Sequence, residues 1–467
     1  MSHRPLLERA AGHAATYLDG LAQRPVNSEA NLAQLRDALG GALPEEGTDD
    51  ADVVDDLVRD VEPGLLGSAG GRFFGWVVGG GVPAALAADW LTSAWDQNAV
   101  LHASGPAEAV VEEVAGAWLV QLLGLPDASS FAFTTGAQQA HVTALAAARS
   151  KLLGDRGWDV DRRGLAGAPA VRVLTSELRH ASIERAVRLL GMGTDCLHAT
   201  GSDARGRIDL DALRDRLAER DAPSIVCLQA GEINTGAFDD FAAACGIAHE
   251  HGAWVHVDGA FGLWAAASER YRHLLSGVEQ ADSWTADGHK WLNVPFDCGF
   301  AFVRHPEPHR CAMSTSASYL VHAEDTPGEP ARDQIDWTPE WSRRGRGVPV
   351  YAAIRALGRR GIAELVDRCC DHAHRLTTGI GALDGAQLLV APRINQGLVR
   401  FLATDGDDHD ARTDEVIERV QRSGQAWFGG TTWNGVRAMR VSVVNWQTGE
   451  QDVTRAIAAV RDALRTG

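Results

Sequence analysis

A chain of 467 residues, 45% hydrophobic and 23% charged, has the composition of an ordinary globular protein and is long enough for two or three domains. Its formal net charge of −18 argues against nucleic acid or an anionic membrane as partner, and no apolar run approaches the length of a membrane span. Seven scattered cysteines without a Cys-x-x-Cys pair point to reduced thiols in a cytoplasmic protein, the start Met1-Ser2-His3-Arg4-Pro5 has no apolar signal core, and no histidine spacing suggests a metal.

In chain order, residues 1–80 read as a helical N-terminal segment that ends at the punctuation Gly79-Gly80-Gly81-Val82-Pro83. Over 81–345 short apolar strands alternate with helical patterns: Phe131–Phe133, Val171–Leu174, Ile225–Gln229, Trp254–Val257 and Gly299–Val303. That alternation predicts a large α/β domain with a mainly parallel sheet covered by helices on both faces. The polar stretch Val321–Arg346 reads as a long exposed loop, a natural lid. Residues 346–467 read as a small α+β domain, with a helix at Tyr351–Val366, strands at Gly397–Leu402 and Ala438–Val444, and a final helix at Glu450–Leu464.

All but two of the 44 basic residues are arginines; the lysines are Lys151 and Lys290. A lone lysine is ordinarily a surface charge, and Lys151, in Ala-Arg-Ser-Lys-Leu-Leu, fits that description. Lys290 stands in Asp287-Gly288-His289-Lys290-Trp291-Leu292, where its neighbours suggest more. Arginine cannot replace a lysine that must lose a proton and attack a carbonyl.

Asp258 closes the apolar strand Trp254–Val257 and is followed by Gly259-Ala260. Ligands of open parallel sheets sit beyond the carboxyl ends of strands, and an aspartate there can pair with a cationic ring nitrogen. A turn cap is the plainer reading of such an Asp. A strand-like stretch, Ala281–Ala286, would return Lys290 to the same edge. In Phe131-Ala132-Phe133-Thr134-Thr135-Gly136-Ala137-Gln138, a strand passes through a small-residue turn into an Ala-rich helix, whose first N–H groups suit a phosphate. Close packing also explains such a glycine. His180 opens a further helix, either as a polar helix start or as a ring lying on a cofactor.

Together these segments resemble the group II pyridoxal-phosphate-dependent amino acid decarboxylases, over roughly residues 65–450. The resemblance rests on His256-Val257-Asp258-Gly259-Ala260, His289-Lys290-Trp291-Leu292, His180-Ala181-Ser182-Ile183-Glu184-Arg185-Ala186 and Phe73-Phe74-Gly75-Trp76. It implies a fold-type I architecture with a sheet of the seven-stranded type sandwiched by helices, pyridoxal 5'-phosphate as cofactor, and a homodimer with shared active sites. By the same resemblance Lys290 condenses with the cofactor aldehyde, Asp258 meets the pyridine nitrogen, His180 stacks on the ring and Ala260 lies near its other face. Gly136, Ala137 and Gln138 would bind the phosphate, Asp287 and His289 would lie beside phosphate or lysine, and Ser342 would reach the phosphate of the partner subunit. The implied reaction is decarboxylation of an L-amino acid to its amine.

Several positions depart from the family. Its aromatic amino acid decarboxylases carry a loop tyrosine, whereas none of Tyr17, Tyr271, Tyr319 and Tyr351 lies in Val321–Arg346. Proton delivery would then fall to His180, water or another group, or the carbanion would be intercepted by oxygen to give an aldehyde; aminotransfer, Cα–Cβ cleavage and a catalytically silent homologue are further alternatives. Glu232 stands where many relatives have a hydroxyl and either contacts a cationic substrate or is solvated. Gln139 and His141 replace frequent Glu and Asn with no consequence legible in the sequence. Arg440 is a candidate for the substrate carboxylate and Trp76 or Trp95 for an aromatic pocket, although an ion pair is at least as natural for the arginine and a core role is more common for a tryptophan.

Overall fold

The computed structural model describes residues 2–219, 222–315, 331–404 and 406–465. The chain divides into two compact units, one formed by 1–78, 372–391 and 397–467, the other by 79–371 and 392–396. This differs from the three consecutive segments expected, because the first 78 residues share a unit with the C-terminal elements.

The larger unit carries a seven-stranded sheet in the order β1-β7-β6-β5-β4-β2-β3. Its strands are β1 (Ser130–Thr134), β2 (Arg172–Thr175), β3 (Leu197–Ala199), β4 (Ser224–Gln229), β5 (Trp254–Asp258), β6 (Ser283–Asp287) and β7 (Gly299–Val303). The run from β6 through β5, β4 and β2 to β3 is parallel, while β7 is antiparallel to β1 and β6. All six residues of β4 are buried, as expected for a strand covered on both faces. β3 went unread in the sequence because three residues carry no usable alternation.

Helix Ala137–Gly154 packs across β5, β6 and β7. Ala140, Ala144, Ala147 and Ala148 are fully buried, so small side chains let the helix approach the sheet closely. Leu145, Leu153, Val173, Ile183, Val187 and Ile225 fill the core beside it; each contributes roughly 1.5–3 kcal/mol by burial.

Of the expected lid, residues 321–330 lie outside the described residues, and 331–346 are not the exposed loop anticipated. Gln334, Ile335, Asp336, Thr338, Arg343 and Arg346 are buried. Arg343 forms a bidentate ion pair with Glu112 at 2.5 and 2.6 Å and donates to the Phe133 carbonyl at 3.2 Å. Ile335 N–H donates to Val100 O and Ala99 N–H to Arg343 O, each across a long sequence separation. The polar composition was therefore a sign of internal pairing rather than solvation. The helix expected at Tyr351–Val366 extends over Gly347–Gly381 and is broken at Gly358, where φ is 62°.

The smaller unit contains a four-stranded sheet, order β10-β11-β9-β8, from β8 (Ala386–Val390), β9 (Gln396–Phe401), β10 (Gly429–Trp433) and β11 (Val436–Ser442). Half-exposed β8 and glycine-led β10 gave no strand signal in the sequence. Buried Arg72 ties the N-terminal stretch into this unit through the carbonyls of Leu21, Arg24, Gly424 and Gln425. Among the described residues no helix is long and apolar enough to cross a membrane.

Removing one member of a buried ion pair leaves the other charge uncompensated, at a cost of about 3–5 kcal/mol. Glu112→Gln is therefore expected to lower the urea unfolding free energy by that amount, and Glu112→Gln combined with Arg343→Met to recover most of it. Wild-type stability in the single variant would contradict this assignment.

Candidate active site

Three chain turns meet at one end of the large sheet. β5 delivers Asp258, β6 delivers Asp287 and, two and three residues on, His289 and Lys290, and β1 leads through Gly136 into helix Ala137–Gly154. Register places Asp258 opposite Gln229 of β4 and Thr285 of β6, so the strand ends are level.

Asp287 is buried and joins two of these turns. Its Oδ1 accepts from Ala137 N–H at 2.6 Å, and its Oδ2 lies 3.0 Å from Lys290 Nζ. The Lys290 side chain is 19% exposed. Gly136 is the N-cap of the helix, with φ 163° and no side-chain cap, and the first turn carries no acidic residue. The N–H groups of that first turn have no intrahelical acceptor. A Cβ on Gly299 would lie 2.4 Å from Gly136 Cα, so glycine there is what allows the turn to sit against β7. A Cβ on Gly79 would lie 2.1 Å from the Lys290 carbonyl, which explains one member of the Gly79–Gly81 run. Asn293, itself at φ 54°, accepts from Gly80 N–H at 2.8 Å and holds the same loop.

His289 stacks on exposed Phe296 with centroids 4.4 Å apart, accepts from Cys298 N–H at 3.2 Å and lies 3.7 Å from Asp287. Gln138 reaches across to the Ser182 carbonyl at 3.3 Å. His180 is the N-cap of helix Ala181–Leu189; its Nδ1 meets Ser182 Oγ at 2.7 Å and accepts from Ser182 N–H at 3.3 Å. Though solvent-exposed at the side chain, His180 is held below its ordinary value by partial desolvation, with Lys290 and His141 opposing protonation and Asp258 favouring it.

Asp258 accepts from Ala260 N–H at 3.2 Å and has His141 Nε2 3.5 Å from its Oδ2. Burial would raise this carboxyl, but His141, His180 and Lys290 together hold it well below the usual carboxylate range. His141 and His256 were not singled out as site residues in the sequence. Both are fully buried, and His141 Nδ1 lies 2.9 Å from His256 Nε2. Burial, then the neighbouring His141, pushes His256 down to about 3 against the pull of Asp258. The departure noted at His141 was the available signal, but nothing in the sequence put it beside Asp258.

The remaining expected residues behave differently. Glu232 is buried and its carboxylate is taken up by its own turn: it accepts from Asn234 N–H and Nδ2 at 2.9 and 2.8 Å, from Thr235 N–H at 2.8 Å and from Thr235 Oγ1 at 3.0 Å. The solvated role anticipated for it is excluded by this burial. Ser342 is exposed beside Trp341, between residues whose neighbours Arg343, Arg344 and Arg346 are all ion-paired. Trp76 and Arg440 lie in the smaller unit. Trp76, at φ 46° and 54% exposed, leans on Trp427 with centroids 4.7 Å apart. Arg440 pairs in register with Gly429 of β10 and has interactions of its own.

The family model described as the pyridoxal-dependent decarboxylase conserved domain matches residues 33–404, and the chain belongs to that family. Its sequence is 28% identical to tryptophan decarboxylase 1 of Oryza sativa subsp. japonica, covering 94% of this chain and 89% of the relative. It is 26% identical to phenylacetaldehyde synthase of a Rosa hybrid cultivar, covering 96% and 91%. The crystal structure of Oryza sativa TDC with PLP and tryptamine superposes with a TM-score of 0.92 at 25% identity, over 99% of this chain and 97% of that one. The fold is thus the one the sequence resemblance implied, and the protein is a pyridoxal-phosphate-dependent carboxy-lyase by family.

Two buried histidines give a pH test of this region. His256 and His309 are each pushed down to about 3, chiefly by burial, from an ordinary 6.5. Neutral in the fold, they take up protons on unfolding below pH 6.5. Stability is then full above 6.5 and is lost as the pH falls toward 3, at about 1.4 kcal/mol per pH unit for each histidine. His309 meets Ser130 Oγ at 2.9 Å and the Trp337 carbonyl at 2.7 Å, contacts an amide can keep. His309→Gln is expected to reduce the slope of urea unfolding free energy between pH 6.5 and 5 by one such step; an unchanged slope would count against a neutral buried His309.

Proposed function

We propose that this protein decarboxylates an L-amino acid to the corresponding amine, with Lys290, Asp258 and His180 as the residues that meet cofactor and substrate. The observation that carries the reading is the convergence of Lys290 and Asp258 on adjacent strand ends beside a helix start whose N-cap is a glycine and whose first turn carries no acidic residue.

The residues fit pyridoxal phosphate. Lys290 offers an amine, the turn Gly136-Ala137-Gln138 and the helix dipole offer an anion site beside the Ala137 N–H that Asp287 occupies, and the Asp258 carboxylate offers an acceptor for a ring N–H. When bound, the cofactor supplies an electron sink for the bond that breaks at Cα. Asp258, held ionised, keeps a proton on the pyridine nitrogen. Asp287 fixes Lys290 Nζ and the phosphate turn at a set separation, which limits where the amine can attack. His180, its Nδ1 occupied by Ser182, can present Nε2 toward the ring and hold or pass a proton there. Ala260 carries a small side chain that leaves room against the opposite ring face, and His289 packs beside the phosphate turn.

The active form is a homodimer with shared sites. Trp90, Leu91, Trp95, Phe296 and Trp341 of the larger unit are large exposed apolar side chains, and such surface supports an interface. Ser342, next to Trp341, is then the residue that reaches the partner's phosphate.

A second reading keeps the chemistry up to loss of CO2 and changes the product. No tyrosine stands between 321 and 346, and one relative is named a phenylacetaldehyde synthase. In that outcome O2 and water are consumed and the aldehyde appears with CO2, ammonia and hydrogen peroxide.

Incubation of the loaded enzyme in air with a panel of L-amino acids, followed by mass spectrometry, is expected to give one amine with CO2. Lys290→Ala should lose both the product and the bound-cofactor colour. An aldehyde with peroxide would select the second reading; a coloured wild type that turns over no amino acid would overturn both.

A further inference from the structure

Behind Asp258 lies a buried chain of polar groups that the reaction as described does not use. Trp254 Nε1 lies 2.8 Å from Ser283 Oγ, Ser283 Oγ lies 2.9 Å from His256 Nδ1, and His256 Nε2 lies 2.9 Å from His141 Nδ1. His141 Nε2 is fully buried, has no hydrogen-bond partner of ordinary geometry, and faces Asp258 Oδ2 at 3.5 Å. His141 comes from helix Ala137–Gly154, His256 and Trp254 from β5, and Ser283 from β6. Three elements thus contribute to one line of contacts ending at the carboxylate.

The polarity of that line follows from its two ends. An indole N–H only donates, so Ser283 Oγ accepts from Trp254. An ionised carboxylate only accepts, so the nitrogen facing it must carry a proton. Where each of the two imidazoles carries one proton, that of His141 is on Nε2 and its Nδ1 accepts, which requires His256 to donate from Nε2 and to accept at Nδ1 from Ser283 O–H. The opposite polarity would aim an imidazole lone pair at a carboxylate. Each group therefore donates toward Asp258.

We infer that His141 is a positioning residue for the cofactor ring: its Nε2–H holds the ionised Asp258 carboxylate in place, and the His256–Ser283–Trp254 line fixes the tautomer that does so. This rests on the reading of Asp258 as the partner of the pyridine nitrogen. Among the described residues Ala260 N–H at 3.2 Å is the one backbone donor to the carboxylate, so His141 supplies the second point needed to fix its plane. A carboxylate free to turn would meet the ring nitrogen in only part of its orientations.

The test compares binding of pyridoxal phosphate with that of its 1-deaza analogue, in which carbon replaces the ring nitrogen. Each is titrated into apo-enzyme and followed by absorbance. The wild type prefers the natural cofactor, because only that ring offers an N–H to Asp258. His141→Leu is expected to reduce the preference about tenfold, and His141→Gln, which keeps a donor, to restore part of it. A wild-type preference in His141→Leu overturns the proposal. Asp258→Asn tests the underlying reading separately. If it abolishes the preference, that reading stands whatever His141 does; if it leaves the preference intact, the reading of Asp258 fails first. Should His141→Leu not fold, neutron diffraction from wild-type holoenzyme decides: a deuteron on His141 Nε2 directed at Asp258 supports the proposal, and a bare Nε2 refutes it.

Discussion

Asp287 is a single carboxylate at the end of β6 with one oxygen on a helix N–H and the other on an ammonium. Through Ala137 N–H it binds the start of helix Ala137–Gly154, and through Lys290 Nζ it holds the loop that follows β6. The separation of the helix start from the Lys290 amine is thereby fixed by two contacts to one carboxylate rather than by loop stiffness. The glycines around it follow from this constraint. Gly136 and Gly299 allow the helix start to press on β7, and Gly79 allows a second chain segment to run over the Lys290 carbonyl.

The same helix does three jobs because of where its side chains fall. Its N-terminus faces the site, its alanines seat it on the sheet, and one turn in, His141 points beneath the site to Asp258. Positions 137 and 141 differ by about one helical turn and so share a face. A helix start that suits an anion and a histidine that suits a carboxylate thus reach the same end of the sheet from one rigid element. That arrangement places Asp258, Asp287 and His141 on strands and a helix, and Lys290 and His180 in the turns next to such elements.

Legibility in the sequence followed the strength of local signals. Strands β1, β2, β4, β5, β6 and β7 were apparent because each is a short apolar run between turn residues, and Asp258 and Lys290 because each closes such a run or the loop after it. β3, β8 and β10 were not, being too short, half-exposed or rich in glycine. The stretch before Arg346 was misread because polarity looks the same whether charges face water or one another; Glu112, whose carboxylate pairs with Arg343, lies far away in sequence. Glu232 was misread for a related reason, since its hydrogen-bond partners, Asn234 and Thr235, are close neighbours whose folding back onto it depends on turn geometry.

By itself the sequence determined the cofactor family and the parallel-sheet architecture and singled out Lys290, Asp258 and His180 as candidates, because reactive groups must sit at fixed points of a strand–loop–helix pattern and that pattern is written locally. Tertiary structure alone decided that Asp287 joins two turns, that the N-terminal 78 residues belong with the C-terminal elements, and that His141 and His256 line up behind Asp258. Those facts depend on which strands become neighbours and how far a helix sits above them. Such distances arise from packing between segments far apart in the chain, and no local periodicity encodes them.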